Sequence, residues 1–364
     1  MKIGILGGGQ LARMLALAGY PLGFEFIILD PSKEAGAVKL GEHLHGAYDD
    51  KALLTELAEK ADVVTYEFEN VPADVASFLD EHTHVYPSPN ALAVAQDRLV
   101  EKNFFHELKI PTAPFANVMD LAGLQQAMPT IGYPAILKSR RMGYDGKGQV
   151  VLTSADELAH AWESIQEVPS IVEGFVNFQR EVSILAARNP DGDIVYYPLS
   201  ENKHHQGILR VSECRTVDVL QQEAEKYVRM LLEKLEYVGL IALELFDVEG
   251  QLFANEFAPR VHNSGHWTIE GSETSQFENH LRAISGLPLG STVSEEFTGM
   301  VNFIGGLPES KQLLAIEHAH LHLYDKSPRK GRKVAHVGIR ADTKAEFTHA
   351  LEAVIELAQK GDDS

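Results

Sequence analysis

The sequence is poor in cysteine and in basic residues, and each shortage excludes a class of protein. Its single cysteine, Cys214, excludes an intramolecular disulfide and any metal site built from several cysteines. Lysine and arginine number 32 against 52 aspartates and glutamates, which gives a formal net charge of −20. Such a chain repels phosphate backbones and anionic membranes, so we expect neither nucleic acid nor a membrane as its partner.

Long apolar runs are also lacking. The chain is apolar after Lys2, but the glycines at positions 7–9 and Arg13 interrupt that run early. No later apolar segment reaches the roughly 18 residues that a membrane span needs. The sequence therefore predicts neither a signal peptide nor a membrane helix, and we expect a cytoplasmic protein.

The N-terminal part of the chain shows alternating strand and helix patterns. The predicted strands are residues 2–6, 26–30 and 62–66, and the predicted helices are residues 10–18 and 52–60. This alternation is typical of a parallel α/β sheet. The prolines at 87 and 89 stop regular structure, so the first unit is predicted to end near there.

The remaining chain is predicted to be α+β. Short strands and one helix between residues 133 and 178 indicate a small module, and longer apolar runs from Glu181 onward indicate a larger antiparallel sheet. The tail from Val301 is rich in strand patterns. At 364 residues the chain exceeds what one core usually supports. We predict three regions, residues 1–97, 98–290 and 291–364, with a small mobile module at about 117–172.

A glycine turn follows the first strand and is ambiguous. Residues 7–12 fit the dinucleotide pattern G-x-G-x-x-G/A, and Asp30 lies at a suitable distance to meet a ribose hydroxyl. The same turn and helix start would serve any phosphate equally well. Both a nicotinamide dinucleotide and a phosphorylated substrate therefore remain open on this motif.

A second segment suits nucleotide phosphates. Lys138 ends an apolar strand, and residues 143–149 contain three glycines, as expected of a hairpin that folds over phosphates. The segment is not a Walker A loop. Glu173 ends another strand before residues 174–176, where a carboxylate and exposed backbone could bind adenine and ribose. A plain exposed hairpin and a solvated glutamate are the alternatives.

Two glutamates lie within apolar strands that a short turn joins. Glu244 and Glu256 each have apolar neighbours, and residues 248–250 form the turn between their strands. An unpaired buried charge is costly, and two adjacent carboxylates need a cation. With the amide of Asn255 beside them, they suit Mg²⁺. The alternative is that one glutamate points outward and the other is salt-bridged.

At this point the sequence resembles the ATP-grasp superfamily and, within it, the N5-carboxyaminoimidazole ribonucleotide synthase family. The matching stretches run through nearly the whole chain: residues 7–14, 66–70, 96–98, 138, 143–149, 180–183, 201–204, 207–208, 255–260, 262–268 and 331–333. One departure is Ala12, where the family usually has glycine. The resemblance implies an ATP-grasp fold with an N-terminal Rossmann-like domain, a small lid and a C-terminal mixed-sheet region.

The resemblance also implies site residues. The implied ATP site comprises Arg98, Lys138, Gly143, Tyr144, Asp145, Gly146, Lys147, Gly148, Gln149, Glu173, Gly174, Phe175, Val176, Glu181, His204, Asn255 and Glu256. The implied metal ligands are Glu244 and Glu256. The implied substrate residues are Tyr144, Asp145, Lys147, Arg260, His262, Asn263, Ser264, Lys326, Arg332 and Lys333. Among these, Arg260, Lys138, Asp145 and Lys147 are the candidate catalytic residues, and Glu67 and Glu69 are weaker candidates facing the cleft.

The implied activity is carboxylation of 5-aminoimidazole ribonucleotide with ATP and bicarbonate, through carboxyphosphate, in purine biosynthesis. It implies one or two Mg²⁺ ions, which Mn²⁺ could replace, and a homodimer. One rival is a formate-dependent glycinamide ribonucleotide transformylase, although residues 144–145 are not the serines expected there. Biotin carboxylase is disfavoured by the short chain. From another class, a nicotinamide-dependent dehydrogenase would use the glycine turn.

Overall fold

The computed structural model describes residues 1–143 and 147–362 of the chain. Within these ranges no helix is long and apolar enough to cross a membrane. The residues in these ranges form three sheets, which contain five, four and nine strands.

The first sheet is parallel, as predicted, and has the strand order β3-β2-β1-β4-β5. Its strands are β1 (Lys2–Leu6), β2 (Glu25–Asp30), β3 (Glu42–His45), β4 (Val63–Tyr66) and β5 (His84–Val85). The helices of this part are α1 (Gln10–Gly19), α2 (Lys51–Lys60), α3 (Ala73–Asp80) and α4 (Pro89–Ala95). Ser88 caps α4 by accepting the Ala91 N–H, and Pro89 occupies the first helical position, where its missing N–H is not needed.

Helix α5 (Arg98–Glu107) connects the first sheet to the second. Its N-cap, Asp97, accepts the Leu99 N–H and binds the guanidinium of Arg140 at 2.7 Å. Burial alone raises the pKa of Asp97, but the hydrogen bond and charge of Arg140 outweigh burial and lower it. The cap therefore also fixes α5 against the strand that carries Lys138.

The second sheet is antiparallel and small, with the order β6-β9-β7-β8. Its elements are β6 (Phe115–Val118), α6 (Leu121–Ile131), β7 (Ala135–Ser139), β8 (Gln149–Leu152), α7 (Leu158–Ser164) and β9 (Ser170–Gly174). Leu124, Leu137 and Trp162 share a core which, among the described residues, includes none from the other two sheets. The predicted module at about 117–172 and its motion as a lid stay predictions.

The third sheet has the order β15-β14-β10-β12-β13-β16-β18-β17, with β11 paired to β10. Its first elements are β10 (Arg180–Arg188), β11 (Ile194–Tyr196), β12 (Leu199–His205), β13 (Ile208–Arg215), α8 (Gln221–Lys234), β14 (Gly239–Val248) and β15 (Gln251–Ala258). The later ones are α9 (Thr268–Gly271), α10 (Gln276–Ile284), β16 (Phe297–Ile304), α11 (Ser310–Leu314), β17 (Ala319–Leu323), β18 (Lys333–Ala341) and α12 (Lys344–Asp362). The strands of the tail thus extend the central sheet by antiparallel pairing.

One core joins the first sheet to the third. Ile5 of β1 and Leu240 of β14 belong to the same buried cluster, and Phe277 of α10 fills the space between. His280 adds a polar link, since its Nδ1 accepts the Leu240 N–H and its Nε2 lies 2.9 Å from Thr65 Oγ1. The carboxyl ends of β1 and β4 are therefore held facing the hairpin of β14 and β15.

Candidate active site

A cavity of about 700 Å³ lies where the three sheets meet. Most of the predicted site residues line it: Arg98, Lys138, Gly143, Lys147, Gln149, Glu181, His204, Glu244, Asn255, Glu256, Arg260, His262, Asn263, Lys326 and Lys333. These residues come from segments that are far apart in the sequence. The structure therefore brings the groups predicted for ATP and those predicted for the ribonucleotide to a shared space.

Some predicted residues lie elsewhere. Gly148, Glu173, Gly174, Phe175, Val176, Ser264 and Arg332 are not among the residues that line the cavity. Glu173 is buried directly behind Lys138, Ser264 is fully buried, and Arg332 donates to Ser327. The predicted roles of Tyr144, Asp145 and Gly146 fall outside the described residues. The assignment of all the predicted site residues to ligands, whether or not they line the cavity, stays a prediction.

The hairpin predicted to bind metal is present. Strands β14 and β15 are joined by the turn at Glu249 and Gly250, and both Glu244 and Glu256 face the cavity. Burial, and then the negative charge of Glu256, raise the pKa of Glu244 to about 7. The neighbouring side chains neutralise the pair only weakly: Arg98 lies 3.9 Å from Glu256, and His262 Nε2 lies 3.3 Å from Glu244. This carboxylate pair has the electrostatic character of a cation site.

Lys138 projects from β7 into the cavity and is held by a buried carboxylate. Its Nζ donates to Glu173 Oε2 at 3.0 Å, and Lys102 approaches the same oxygen at 3.6 Å. Burial raises the pKa of Glu173, but the charges of Lys138 and Lys102 outweigh burial and bring it to about 2. Glu173 therefore stays ionised and fixes the ammonium group of Lys138 at the cavity wall.

His204 and Glu181 form a pair on the opposite wall. His204 Nδ1 contacts Glu181 Oε2, and both side chains are about a quarter exposed, at 25% and 24%. Burial lowers the pKa of His204, but the hydrogen bond and charge of Glu181 outweigh burial and raise it. A histidine in this environment favours its cationic, donating form, which suits contact with an anionic or hydroxyl-bearing ligand.

Arg260 and His262 follow β15 and line the cavity. Arg260 Nε donates to Glu69 Oε2 at 2.5 Å, which orients the guanidinium. Burial, and then the positive charge of Arg260, keep the pKa of His262 well below its usual range. His262 is therefore neutral beside a permanent cation. Its Nδ1 lies 2.9 Å from Ser264 Oγ, so the other ring nitrogen, Nε2, faces Glu244.

A buried hydrogen-bond network fixes the segment after His262. Ser264 accepts from Ser183 at 2.7 Å, and Asn263 exchanges hydrogen bonds with Asn302. Because these partners belong to β10 and β16, the segment is anchored to the central sheet at two points. This explains why Ser264, although it does not line the cavity, belongs to the structure of the site.

The glycine turn is occupied by the protein's own carboxylates. Asp30 accepts the Gly8 N–H at 2.7 Å, and Glu67 accepts the N–H groups of Gly9, Leu11 and Ala12. A dinucleotide pyrophosphate would need these amides and would be repelled by both carboxylates. Around the turn, Gln10 and Lys326 still face the cavity and contact each other. This geometry disfavours the dehydrogenase interpretation. Because the backbone amides of the turn are already occupied, a phosphate here would have to be bound by side chains such as those of Gln10 and Lys326.

Other cavity residues were not predicted. Phe178 and Phe246 stack with ring centroids 4.8 Å apart and give the cavity an apolar wall. Arg140 and Glu101 also line it. The available signal for Glu101 was its position one turn before Phe105 on the apolar face of α5, where a charge is unusual. For Phe178 and Phe246 the sequence carried no distinguishing pattern.

Comparison with known proteins places this geometry in a family. Residues 1–96 match the ribonucleotide synthetase preATP-grasp domain, and residues 103–277 match the ATP-grasp domain. Residues 298–350 match the phosphoribosylaminoimidazole carboxylase C-terminal domain. The three domain families thus follow one another along the chain.

Two relatives that align over more than nine-tenths of the chain have the same name. The chain is 50% identical to the N5-carboxyaminoimidazole ribonucleotide synthase of Pseudomonas aeruginosa, over 98% of this chain and 100% of that protein. It is 47% identical to the enzyme of that name from Brucella melitensis, over 92% and 95% of the two chains.

Solved structures agree. The crystal structure of N5-carboxyaminoimidazole ribonucleotide synthetase from Thermus thermophilus superposes with a TM-score of 0.94 at 49% identity, covering 98% of each chain. The synthase from Aspergillus clavatus in complex with ADP and 5-aminoimidazole ribonucleotide gives a TM-score of 0.92 at 28% identity, covering 99% of this chain and 98% of that one. The resemblance and the fold class predicted from sequence are confirmed. The chain belongs to the N5-carboxyaminoimidazole ribonucleotide synthase family of ATP-grasp ligases.

Proposed function

We propose that this chain carboxylates the amino group of 5-aminoimidazole ribonucleotide, using ATP and bicarbonate, to form N5-carboxyaminoimidazole ribonucleotide. The observation that carries the proposal is the composition of the cavity of about 700 Å³. Its lining includes Lys138, Arg98 and the carboxylate pair of Glu244 and Glu256, which suit MgATP. The lining also includes Arg260, His262, Lys326 and Lys333, which suit bicarbonate and a sugar phosphate.

At the ATP end, cations and an apolar wall face each other. Lys138, fixed by Glu173, would meet the phosphate oxygens, and Arg98, which donates to Ser139 O and Gly143 O, holds the base of the glycine-rich segment. The stacked rings of Phe178 and Phe246 offer a surface for the adenine base. Glu181 and His204 are within the same wall and would bind ribose hydroxyls.

The donor set of the hairpin fits Mg²⁺. Glu244 and Glu256 provide carboxylate oxygens and Asn255 an amide oxygen, which are the ligands that hard divalent cations prefer. Burial and then the charge of Glu256 raise the pKa of Glu244, and a bound cation would favour the ionised form of both carboxylates. When bound, one or two Mg²⁺ or Mn²⁺ ions would offset the charge on the phosphates of ATP. Glu244 and Glu256 are therefore the proposed ligands of the metal ion.

Arg260, which lines the cavity and is oriented by Glu69, would hold bicarbonate. A bicarbonate oxygen attacks the γ-phosphorus of ATP, the bond to ADP breaks, and carboxyphosphate forms. Arg260 and Lys138 would stabilise the charge on the attacking and transferred groups. The amino group of the ribonucleotide then attacks the carboxyl carbon, or CO₂ released from it, and inorganic phosphate leaves. The departing phosphate or a solvent molecule would take the proton that the amine loses.

The ribonucleotide phosphate would bind at the basic end of the cavity. Lys326 contacts Gln10 there and lines the cavity together with Lys333. Burial lowers the pKa of Lys326, although the nearby charge of Glu67 works in the opposite direction. Arg332, Asn263 and Ser264 are proposed to complete the substrate site. Tyr144, Asp145 and Lys147 are proposed to close over both ligands and exclude water from carboxyphosphate.

Phosphate release from MgATP and bicarbonate tests the proposal. We expect 5-aminoimidazole ribonucleotide to stimulate release strongly, and glycinamide ribonucleotide with formate to have no effect. Stimulation by the glycinamide compound and formate alone would establish the transformylase instead. Binding of NADH, seen as a change in its fluorescence, would support the dehydrogenase.

We propose further that the chain acts in the cytoplasm as a homodimer, without nucleic acid or membrane as a partner. The family resemblance supports the dimer, and the high negative charge of −20 disfavours anionic polymers. Light scattering at several concentrations would measure the mass of the assembly. A constant mass of one chain, 40.1 kDa, would contradict the dimer.

A further inference from the structure

The two carboxylates of the cavity lie at an irregularity of the central sheet. Leu243 of β14 pairs with Phe257 of β15, but Leu245 pairs with Ala254. One residue, Glu244, therefore lies opposite two residues of β15, which is a β-bulge. The burial pattern follows it: Leu252 and Ala254 are buried two residues apart, and the next buried residue, Phe257, comes three residues later. The bulge turns both Asn255 and Glu256 toward the cavity.

The bulged segment belongs to the edge strand of the sheet, so its outer backbone groups need other partners. Helix α5 provides them through two consecutive side chains. Lys102 Nζ donates to the carbonyl of Asn255 at 2.7 Å and to that of Ala254 at 3.3 Å. Glu101 Oε1 accepts the Phe257 N–H at 2.7 Å. The residues on both sides of Glu256, Asn255 and Phe257, are thus held by hydrogen bonds to α5.

Both side chains are almost completely inaccessible, with exposures of 2% each. Burying an ammonium and a carboxylate is costly, and an apolar pair would pack in the same place without that cost. Burial lowers the pKa of Lys102, and burial and the charge of Glu256 raise that of Glu101. A purely structural contact between α5 and β15 would not require two charged residues here. What the charged groups provide is directional bonding to three specific backbone groups.

Lys102 also reaches the second sheet. Its Nζ lies 3.6 Å from Glu173 Oε2, the atom that holds Lys138 at 3.0 Å. One ammonium group therefore contacts the backbone beside a predicted metal ligand and the carboxylate that positions the predicted phosphate-binding lysine. Through Lys102, the positions of Glu256 and Lys138 depend on a common residue that does not line the cavity.

We propose that Glu101 and Lys102 are positioning residues that hold the bulge of β15 in the conformation that directs Glu256 into the cavity, and that Lys102 aligns Glu256 with Lys138 through Glu173. This inference deepens the proposed function and rests on its metal site. Both residues act here through the backbone of β15 and through Glu173, although Glu101 is among the residues that line the cavity. Their effect is on how well the carboxylate pair and Lys138 bind the same metal nucleotide.

The test measures how much Mg²⁺ tightens the binding of ADP, using calorimetry with and without the metal. For Lys102→Met and Glu101→Leu we expect the Mg²⁺-dependent gain in affinity to fall by about tenfold, as is usual when a support of a metal ligand is lost. In Glu101→Leu the metal-free affinity for ADP and the KM for 5-aminoimidazole ribonucleotide should change by less than about threefold, because Glu101 supports β15 through the Phe257 N–H. In Lys102→Met the metal-free affinity for ADP should fall as well, because Lys138 loses part of its support through Glu173. Glu101→Gln should keep the response, since its amide oxygen still accepts the Phe257 N–H.

Matched controls are Glu107→Leu, an exposed position on the same helix, and Lys226→Met, exposed on α8. Both should respond to Mg²⁺ like the wild type. Unchanged Mg²⁺ dependence in Glu101→Leu and Lys102→Met would overturn the proposal, as would an equal response of Glu101→Gln and Glu101→Leu. If Lys102→Met does not fold, the comparison of the two Glu101 variants decides alone.

Glu244→Gln separates this proposal from the proposed metal site. Loss of the Mg²⁺ response in Glu244→Gln, with the response retained in the α5 variants, overturns only the positioning role. If Mg²⁺ tightens ADP binding in Glu244→Gln as much as in the wild type, the metal assignment is overturned. The positioning role then loses its basis too.

Discussion

Arg260 has two contacts that define what it can do. Its Nε binds Glu69 at 2.5 Å and one terminal nitrogen donates to Val261 O at 3.1 Å. The guanidinium is thereby oriented with donors left over for an anion, because arginine has five. Its side chain is only 16% exposed, so a bound anion would be held in a partly dehydrated environment. This is the environment in which an arginine–carboxylate contact is strongest.

Replacing Arg260 by alanine should therefore affect bicarbonate most. We expect the KM for bicarbonate to rise and kcat to fall, together by roughly tenfold to a hundredfold, the effect of losing a charge-assisted contact. Steady-state kinetics with varied bicarbonate measures both. Arg340→Ala, at an exposed pair with Glu295, is the control. Unchanged bicarbonate dependence with normal turnover would remove Arg260 from the proposed chemistry.

Individual site residues were predictable to different degrees. Glu244 and Glu256 could be found because a charge within an apolar strand pattern is conspicuous. Lys102 could not, because a lysine on a helix that also carries Arg98 and Glu107 has the pattern of a solvated face. Its burial depends on the approach of β15, some 150 residues later in the sequence. That contact follows from the tertiary fold, which local patterns do not encode.

At the scale of the element, the β14–β15 hairpin holds two like charges together. The folded-state pKa of Glu244, about 7, lies above its ordinary value of 4.5. The unfolded chain therefore releases this proton more readily, and Glu244 destabilises the metal-free fold increasingly as the pH rises from 4.5 through 7. The same like charges that lower the stability of the metal-free fold would favour binding of a cation.

Removing one charge of the hairpin should stabilise the metal-free protein. For Glu256→Gln we expect a gain of roughly 1 kcal/mol in unfolding free energy at pH 8 in the presence of a chelator, because Glu244 loses its like-charged neighbour. The gain should shrink at pH 5, and added Mg²⁺ should stabilise the variant less than the wild type. Thermal unfolding at both pH values measures this, with exposed Glu296→Gln as control. A variant less stable than the wild type at both pH values would contradict like-charge repulsion.

Elements near the N-terminus were predicted well. The predicted strand at residues 2–6 is β1, and the helix predicted from residue 10 is α1, because buried parallel strands and amphipathic helices have clear periodicities. The function of the turn between them was not determined by its motif. Glu67, which lies more than fifty residues later in the chain, fills the helix start that the glycines leave open. The glycine motif specifies the shape of the backbone turn. The anion that occupies the turn is the carboxylate of Glu67, which the motif does not indicate.

At the scale of the whole molecule, the union of the first and third sheets depends on buried polar groups. His280 accepts the Leu240 N–H through Nδ1, so its proton is on Nε2 and is donated to Thr65 Oγ1. Burial lowers the pKa of His280 to about 3. The unfolded state, with a pKa near 6.5, binds a proton more readily than the folded one. The contribution of His280 to stability is therefore complete above pH 6.5 and is lost as the pH falls toward 3.

Acidification should weaken the contact between these sheets. Below pH 6.5 we expect His280 to cost up to about 1.4 kcal/mol of unfolding free energy per pH unit, because the folded state cannot accept its proton. His280→Asn keeps an acceptor for the Leu240 N–H but cannot be protonated. It should therefore lose less stability than the wild type between pH 7 and pH 5 in thermal unfolding. The exposed His160→Asn is the control, and parallel curves for all three proteins would exclude the effect.

The arrangement of the three sheets was only partly predictable from the sequence. The strand pattern of the tail predicted further β structure, but not that β16, β17 and β18 would extend the central sheet. Pairing between β13 and β16 joins residues nearly ninety positions apart, and no local pattern indicates which edge a strand will choose. The boundaries predicted at residues 97 and 290 stay a prediction.

The most direct test of the whole account follows the oxygen of bicarbonate. If bicarbonate attacks the γ-phosphorus of ATP in this cavity, the bridging oxygen of carboxyphosphate stays with phosphorus when the carboxyl group moves to the amine. With ¹⁸O-labelled bicarbonate, ATP, Mg²⁺ and 5-aminoimidazole ribonucleotide, mass spectrometry should therefore find one ¹⁸O in the inorganic phosphate for each ribonucleotide carboxylated. Carboxylated product formed together with phosphate that carries no ¹⁸O would contradict phosphoryl transfer to bicarbonate.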